Sequence, residues 1–165
     1  MNDRQSEDEV AIFSKFARSL PYFTQIDSIQ KGQEPEPDIV CKLSDGTTVY
    51  FELVECVDNS VAKFFYGGSL NGGFFSDDLC LGSIAKKVKK KYSHSCDLLV
   101  YFDLQPVVTE KSWLPYVEDF VKENIKQSPF KRIWIYSVPQ EKIMSIYPRS
   151  GDAPLPSPRG NSTVP

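Results

Sequence analysis

Between residues 7 and 20 the apolar side chains Ile12, Phe13, Phe16, Ala17 and Leu20 recur at helical spacing, and Pro21 closes the run, so this stretch predicts an amphipathic helix. The segment 27–37 is polar and carries Glu34, Pro35, Glu36 and Pro37 in alternation. Each proline biases its predecessor toward extended backbone, so a loop feeding a strand is expected there. Two strand-like runs, 38–43 and 47–57, flank Ser44-Asp45-Gly46 and read as a β-hairpin. Residues 58–75 mix Gly67, Gly68, Gly72 and Gly73 with Phe64, Phe65, Tyr66, Phe74 and Phe75, the composition of a mobile loop with aromatic anchors.

Helical spacing resumes at Leu81, Ile84, Ala85, Val88 and Tyr92, followed by a nearly continuous apolar strand over 96–102. A third helix is predicted over 112–127, with Ser112 as its N-cap and Leu114, Val117, Phe120, Val121 and Ile125 as its buried stripe. Pro115 is tolerable in a first turn. Strands are expected at 132–138 and, shorter, at 143–147. After Pro148 four prolines stand among small polar residues, so 149–165 reads as a disordered tail. The order helix, hairpin, helix, strand, helix, strand predicts one α/β domain over residues 1–148, a mixed β-sheet with flanking helices.

Composition narrows the function classes. A chain of 165 residues with 41% apolar residues supports one core, and a net charge of -3 argues against coating nucleic acid by bulk electrostatics. Contact with phosphate would need a local patch. Cys41, Cys56, Cys80 and Cys96 form no closely spaced pair and read as buried thiols in a reducing compartment, ahead of a disulfide or a zinc site. The polar, acidic start and the lack of a long apolar run predict a soluble, cytoplasmic protein without a membrane partner.

The hairpin carries the chemistry. Gly46 suits the left-handed position of a three-residue loop that pairs Leu43 with Thr47; counting back, Val40 faces Tyr50 and Asp38 faces Glu52. This register puts Ile39, Cys41, Leu43, Val49, Phe51 and Leu53 on one face, and Asp38, Lys42, Thr48 and Glu52 on the other. Opposed carboxylates repel unless a cation lies between them, and a divalent ion with oxygen ligands is the economical one. The same spacing also suits two acids on a solvated strand face. Glu9 is a second anomaly, an acid on the apolar face of the first helix. There it is either paired or metal-bound, or a first-turn acid favoured by the helix dipole.

Pro37-Asp38, the hairpin, and Phe51-Glu52-Leu53-Val54-Glu55 resemble the D…ExK core of the PD-(D/E)xK, or restriction-endonuclease-like, nuclease superfamily. The resemblance covers the order of elements over residues 7–138. It implies an αβββαβ core and hydrolysis of phosphodiesters in DNA or RNA with Mg²⁺ or Mn²⁺. It makes Asp38 and Glu52 catalytic metal ligands, with Glu9 completing the metal shell. Val54 stands where the family has its lysine, and some branches supply that lysine from the following helix. Of Lys86, Lys87, Lys89, Lys90 and Lys91, the helical wheel brings Lys87 and Lys91 to the border of the apolar stripe and turns Lys89 and Lys90 farther outward, so Lys87 and Lys91 are the candidate catalytic ammonium groups. A lysine run also suits a solvated helix face.

Nucleic acid is then the expected partner, DNA first, and a homodimer is compatible with the resemblance. The alternative is a nuclease-like scaffold without catalysis that binds a protein partner, which Val54 and the acidic balance favour. Glu55 lies on the opposite strand face and reads as support. His94, the sole histidine, leaves little basis for a Ser-His-Asp triad or a histidine-ligated metal, and the glycine pairs lack the lysine of a P-loop. Trp113 and Trp134 read as core or interface aromatics.

Overall fold

The computed structural model describes residues 3–55, 81–103 and 110–148. Helix α1 (Asp3–Ala17) starts in the polar residues ahead of the apolar stripe and stops before Pro21. A 3-10 turn, Phe23–Gln25, then leads into strand β1 (Ile26–Lys31). This strand overlaps the stretch expected to be loop. Its only apolar residues, Ile26 and Ile29, are three apart, which breaks strand periodicity in the sequence. A register shift between Ile26 and Ser28 turns both toward the same core.

The hairpin follows as β2 (Ile39–Leu43) and β3 (Thr48–Glu55), then helix α2 (Leu81–Lys89) and strand β4 (Cys96–Phe102). Helix α3 (Glu110–Asn124) runs into a 3-10 turn at Ile125–Gln127, followed by β5 (Phe130–Ser137) and β6 (Lys142–Pro148). Because α3 begins at Glu110, Ser112 lies inside the helix and is not its N-cap. The glycine- and aromatic-rich stretch at 58–75 and the tail at 149–165 lie outside the described residues.

The six strands form one mixed sheet in the order β1-β2-β3-β4-β5-β6. The central strands β3, β4 and β5 are parallel, while β1 with β2, β2 with β3, and β5 with β6 are antiparallel. Every residue of β4 is buried, as befits a central parallel strand covered on both faces, which explains its unbroken apolar run. Helix α1 covers one face: Phe13 packs on Phe51 with ring centroids 4.8 Å apart, and Phe16 packs on Trp134 and Tyr136, each at 5.4 Å. On the other face Ile84 of α2 and Val117 and Val121 of α3 join Leu98, Val100, Ile133 and Ile135.

Trp134 is thus a core residue, and Cys41 and Cys96 are buried free thiols. Cys56 and Cys80 lie outside the described residues. Among the described residues no helix is long and apolar enough to cross a membrane.

Candidate active site

The turn at Gly46, with φ of 86°, sets the hairpin register: the Leu43 amide donates to the Thr47 carbonyl at 2.8 Å, and Val40 pairs with Tyr50 and Ile39 with Phe51. One step further, Asp38 meets Glu52. Pro37 has no N–H and β2 begins only after Asp38, so the Asp38 side chain continues the ladder. Its Oδ2 accepts the Leu53 amide at 3.0 Å, and the Asp38 amide donates to Glu52 Oε2 at 3.1 Å.

The other flank is held by β1, where the Gly32 amide donates to the Asp38 carbonyl at 2.8 Å. That approach requires glycine, since a Cβ at position 32 would lie 1.8 Å from the Pro37 carbonyl oxygen. Both acids are therefore fixed by backbone contacts that the pattern of the sheet supplies.

Two lysines enter from opposite faces. Lys87, projecting from α2, pairs with Glu52 Oε1 and lies 3.4 Å from Asp38 Oδ2. Lys31, at the end of β1, pairs with Glu9 of α1 and lies 3.2 Å from Asp38 Oδ1. Glu9, Lys31, Asp38, Lys87 and Glu52 thus form a chain of alternating charge across the end of the hairpin.

Lys90 adds an ion pair to Glu52 at 3.6 Å, against the expectation that it points outward. The end of α2 at Lys89 explains the difference, because the chain leaves the helix there and the wheel no longer applies. Lys91, past the same end, is exposed and contributes no ion pair to the chain among the described residues. Val54 is buried in the cluster that contains Ile84 of α2. Glu55 is exposed at the end of β3, where with Glu9, Lys87, Tyr101 and Asp103 it lines a cleft of about 590 Å³.

Glu52 is fully buried, so Lys87, Lys90 and the Asp38 amide stand in for the water its carboxylate would otherwise meet. Burial alone would push the Asp38 carboxyl up, but the Leu53 amide and the Lys87 and Lys31 ammonium groups outweigh it and hold it below the usual carboxylate value. Burial likewise works against the charged form of Lys87, yet its bond to Glu52 and the charge of Asp38 carry its pKa above the ordinary lysine value. Lys31 is raised in the same way by Glu9 and Asp38. The Tyr92 hydroxyl donates to the Lys87 carbonyl at 3.2 Å, and burial followed by the charge of Glu52 pushes it up. Burial and Glu52 also push the Cys96 thiol up to about 12, which makes it inert as a nucleophile near neutral pH.

Sequence reasoning named Asp38, Glu52, Glu9 and Lys87, and the structure gathers all four. It missed Lys31 because β1 was read as loop; with that strand recognised, pairing of Lys31 with Ile39 places it one residue from Asp38. Asp97 was also passed over. It is buried, and its Oδ2 accepts Arg132 Nε and Trp134 Nε1, both at 2.9 Å. Burial raises its pKa against the pull of Arg132 and Trp134, and its contacts mark it as a structural group tying β4 to β5. His94 stacks on Tyr50 with ring centroids 4.2 Å apart, and its Nδ1 lies 2.9 Å from Ser93 Oγ. Among the described residues no three acid, histidine or cysteine side chains are arranged to hold a metal ion together. No protein-family model matches the chain, and neither the curated proteins nor the solved structures give a match.

Proposed function

We propose that the chain is a metal-dependent nuclease of the PD-(D/E)xK kind, hydrolysing phosphodiesters with Mg²⁺ or Mn²⁺ on Asp38 and Glu52. The observation that carries this reading is the Lys87 ammonium shared between those two carboxylates. An acid pair with a lysine at the same point is the chemistry that the resemblance requires, and here the lysine comes from α2 where the strand has Val54. Among the described residues the order α1-β1-β2-β3-α2-β4 is compatible with the αβββαβ core of that superfamily, with β1 supplying the strand that the sequence pattern hid.

The donor set suits a hard cation. Asp38 and Glu52 offer carboxylate oxygens, and Lys87 already stands between them as a cation of lower charge. Two carboxylates are enough for Mg²⁺, whose remaining positions go to water and substrate phosphate. When bound, the ion lowers the pKa of an attacking water and polarises the scissile phosphate. Asp38 and Glu52 would hold it. Lys87 then offsets the charge that builds on the phosphate oxygens, a task Val54 cannot perform.

The test compares wild type with the Asp38→Ala, Glu52→Ala double variant on single- and double-stranded DNA and on RNA, with each metal. Equal, background cleavage by both proteins would end the nuclease reading. One observation favours a second reading: Lys31 and Lys87 already neutralise most of the acid charge. A catalytically inactive, nuclease-like scaffold that binds a protein partner would keep such a network for stability alone. Its mark would be a melting temperature indifferent to millimolar Mn²⁺, since a ligand that binds only the native state must raise stability.

A further inference from the structure

We propose that Lys31 is a built-in cation that takes the place of a second metal ion, so that the site binds a single divalent ion. The inference rests on Asp38 and Glu52 being metal ligands and concerns how many ions the site accepts. Two-ion nuclease sites hold their cations about 3.5–4 Å apart with carboxylates around both. Here Asp38 is central, with Glu52 on the α2 side and Glu9 on the α1 side. A second ion would need the Glu9 and Asp38 pair, and the ammonium bridging that pair belongs to Lys31.

The two lysines are not equivalent. Lys87 projects from a helix into the cleft and shares Glu52 with Lys90, so it can swing aside while Glu52 keeps a counter-charge. Lys31 sits on a strand whose backbone is paired to Ile39 and whose next residue, Gly32, is bonded to the Asp38 carbonyl. Its root is therefore fixed beside the acids it bridges. Charge points the same way: the carboxylates of Glu9, Asp38 and Glu52 are balanced by the ammonium groups of Lys31, Lys87 and Lys90. One divalent ion makes the site positive enough to attract a phosphodiester, whereas two would leave four positive charges in a partly buried site.

The experiment is Mn²⁺ titration of the full chain by calorimetry, with native mass spectrometry for the count and melting temperature as a second readout. Wild type is expected to bind one ion per chain. Lys31→Met should bind two, with a lowered melting temperature in chelator that Mn²⁺ restores, because Glu9 and Asp38 then lose the ammonium they share. Lys31→Gln is expected to bind two as well and carries the test where the methionine variant does not fold. Lys31→Arg, and Lys31→Met combined with Glu9→Gln, should return to one. Two ions in wild type, or one in Lys31→Met or Lys31→Gln, would overturn the role of Lys31 while leaving the metal site standing. No ion in wild type would remove the metal site and the inference together.

Discussion

Replacing Lys87 with methionine keeps most of the side chain's apolar stem and removes only the ammonium, which makes it the sharpest probe of the site. Glu52 has no solvent exposure, and the loss leaves its carboxylate with the Asp38 amide and the more exposed Lys90 at 3.6 Å. Breaking a buried ion pair costs about 3–5 kcal/mol. Lys87 itself is 27% exposed and Lys90 takes up part of the charge, so a loss of about 2–3 kcal/mol is expected in metal-free buffer. That should lower the melting temperature by roughly 4–12 °C for a domain of this size.

Urea unfolding in chelator measures the loss, and Lys91→Met, at an exposed site outside the ion-pair chain, is the control expected within about 0.5 kcal/mol of wild type. Millimolar Mn²⁺ should stabilise the Lys87 variant more than wild type, since the ion no longer competes with the ammonium. Cleavage by the metal-loaded variant should fall by roughly 10²–10³, the usual cost of losing one transition-state charge donor. A variant as stable as Lys91→Met would mean that Lys87 does not hold Glu52, and the argument from their shared geometry would fail.

Four further outcomes follow from the same contacts. The Asp38 pKa is depressed, so its contribution to stability is full above the unfolded value of about 3.9 and is lost as pH falls through the folded value; Asp38→Asn should flatten that acid limb in urea midpoints measured against pH. The raised Lys87 pKa acts at the other end, its contribution being full below about 10.4 and lost as pH rises through the folded value, so the alkaline limb should soften in Lys87→Met. Asp97→Ala leaves the Trp134 N–H buried without its acceptor and Arg132 without its counter-charge, so it should cost about 3–5 kcal/mol in urea unfolding, with Asp97→Asn recovering part of the loss. Gly32→Ala forces a methyl group into the Pro37 carbonyl and should cost about 1–3 kcal/mol by the same assay, with weaker Mn²⁺ binding because the displaced backbone carries Asp38.

What could be read without coordinates follows from which residues obey a period. The hairpin register was legible because Gly46 and the alternation of Ile39, Cys41, Leu43, Val49, Phe51 and Leu53 agree on a single pairing, and the observed pairing of Val40 with Tyr50 is that one. Strand β4 announced itself through an unbroken apolar run. Strand β1 did not, because an edge strand buries little and a register irregularity set its two isoleucines at a spacing foreign to strands. That one omission hid Lys31, whose position beside Asp38 is a matter of pairing across strands rather than of spacing along the chain. Lys90 was misplaced for a related reason: a helical wheel says where a side chain points only while the helix lasts.

On the proposed nuclease reading, Lys87 supplies from α2 the ammonium that Val54 cannot supply from β3. Val54 lies on the same strand face as Glu52 and is buried in the cluster that includes Ile84, so a lysine there would have to draw its charge out from beneath α2. Lys87 follows Ile84 by three residues, close to one helical turn, so the docking that buries Ile84 also aims the Lys87 side chain at Glu52. The ammonium thus reaches the acid pair from above the sheet, at 27% exposure, without a charged stem crossing the core. A strand lysine would be fixed by the sheet, whereas one on α2 depends on how that helix docks. Changes that loosen Ile84 should therefore weaken the site through Lys87.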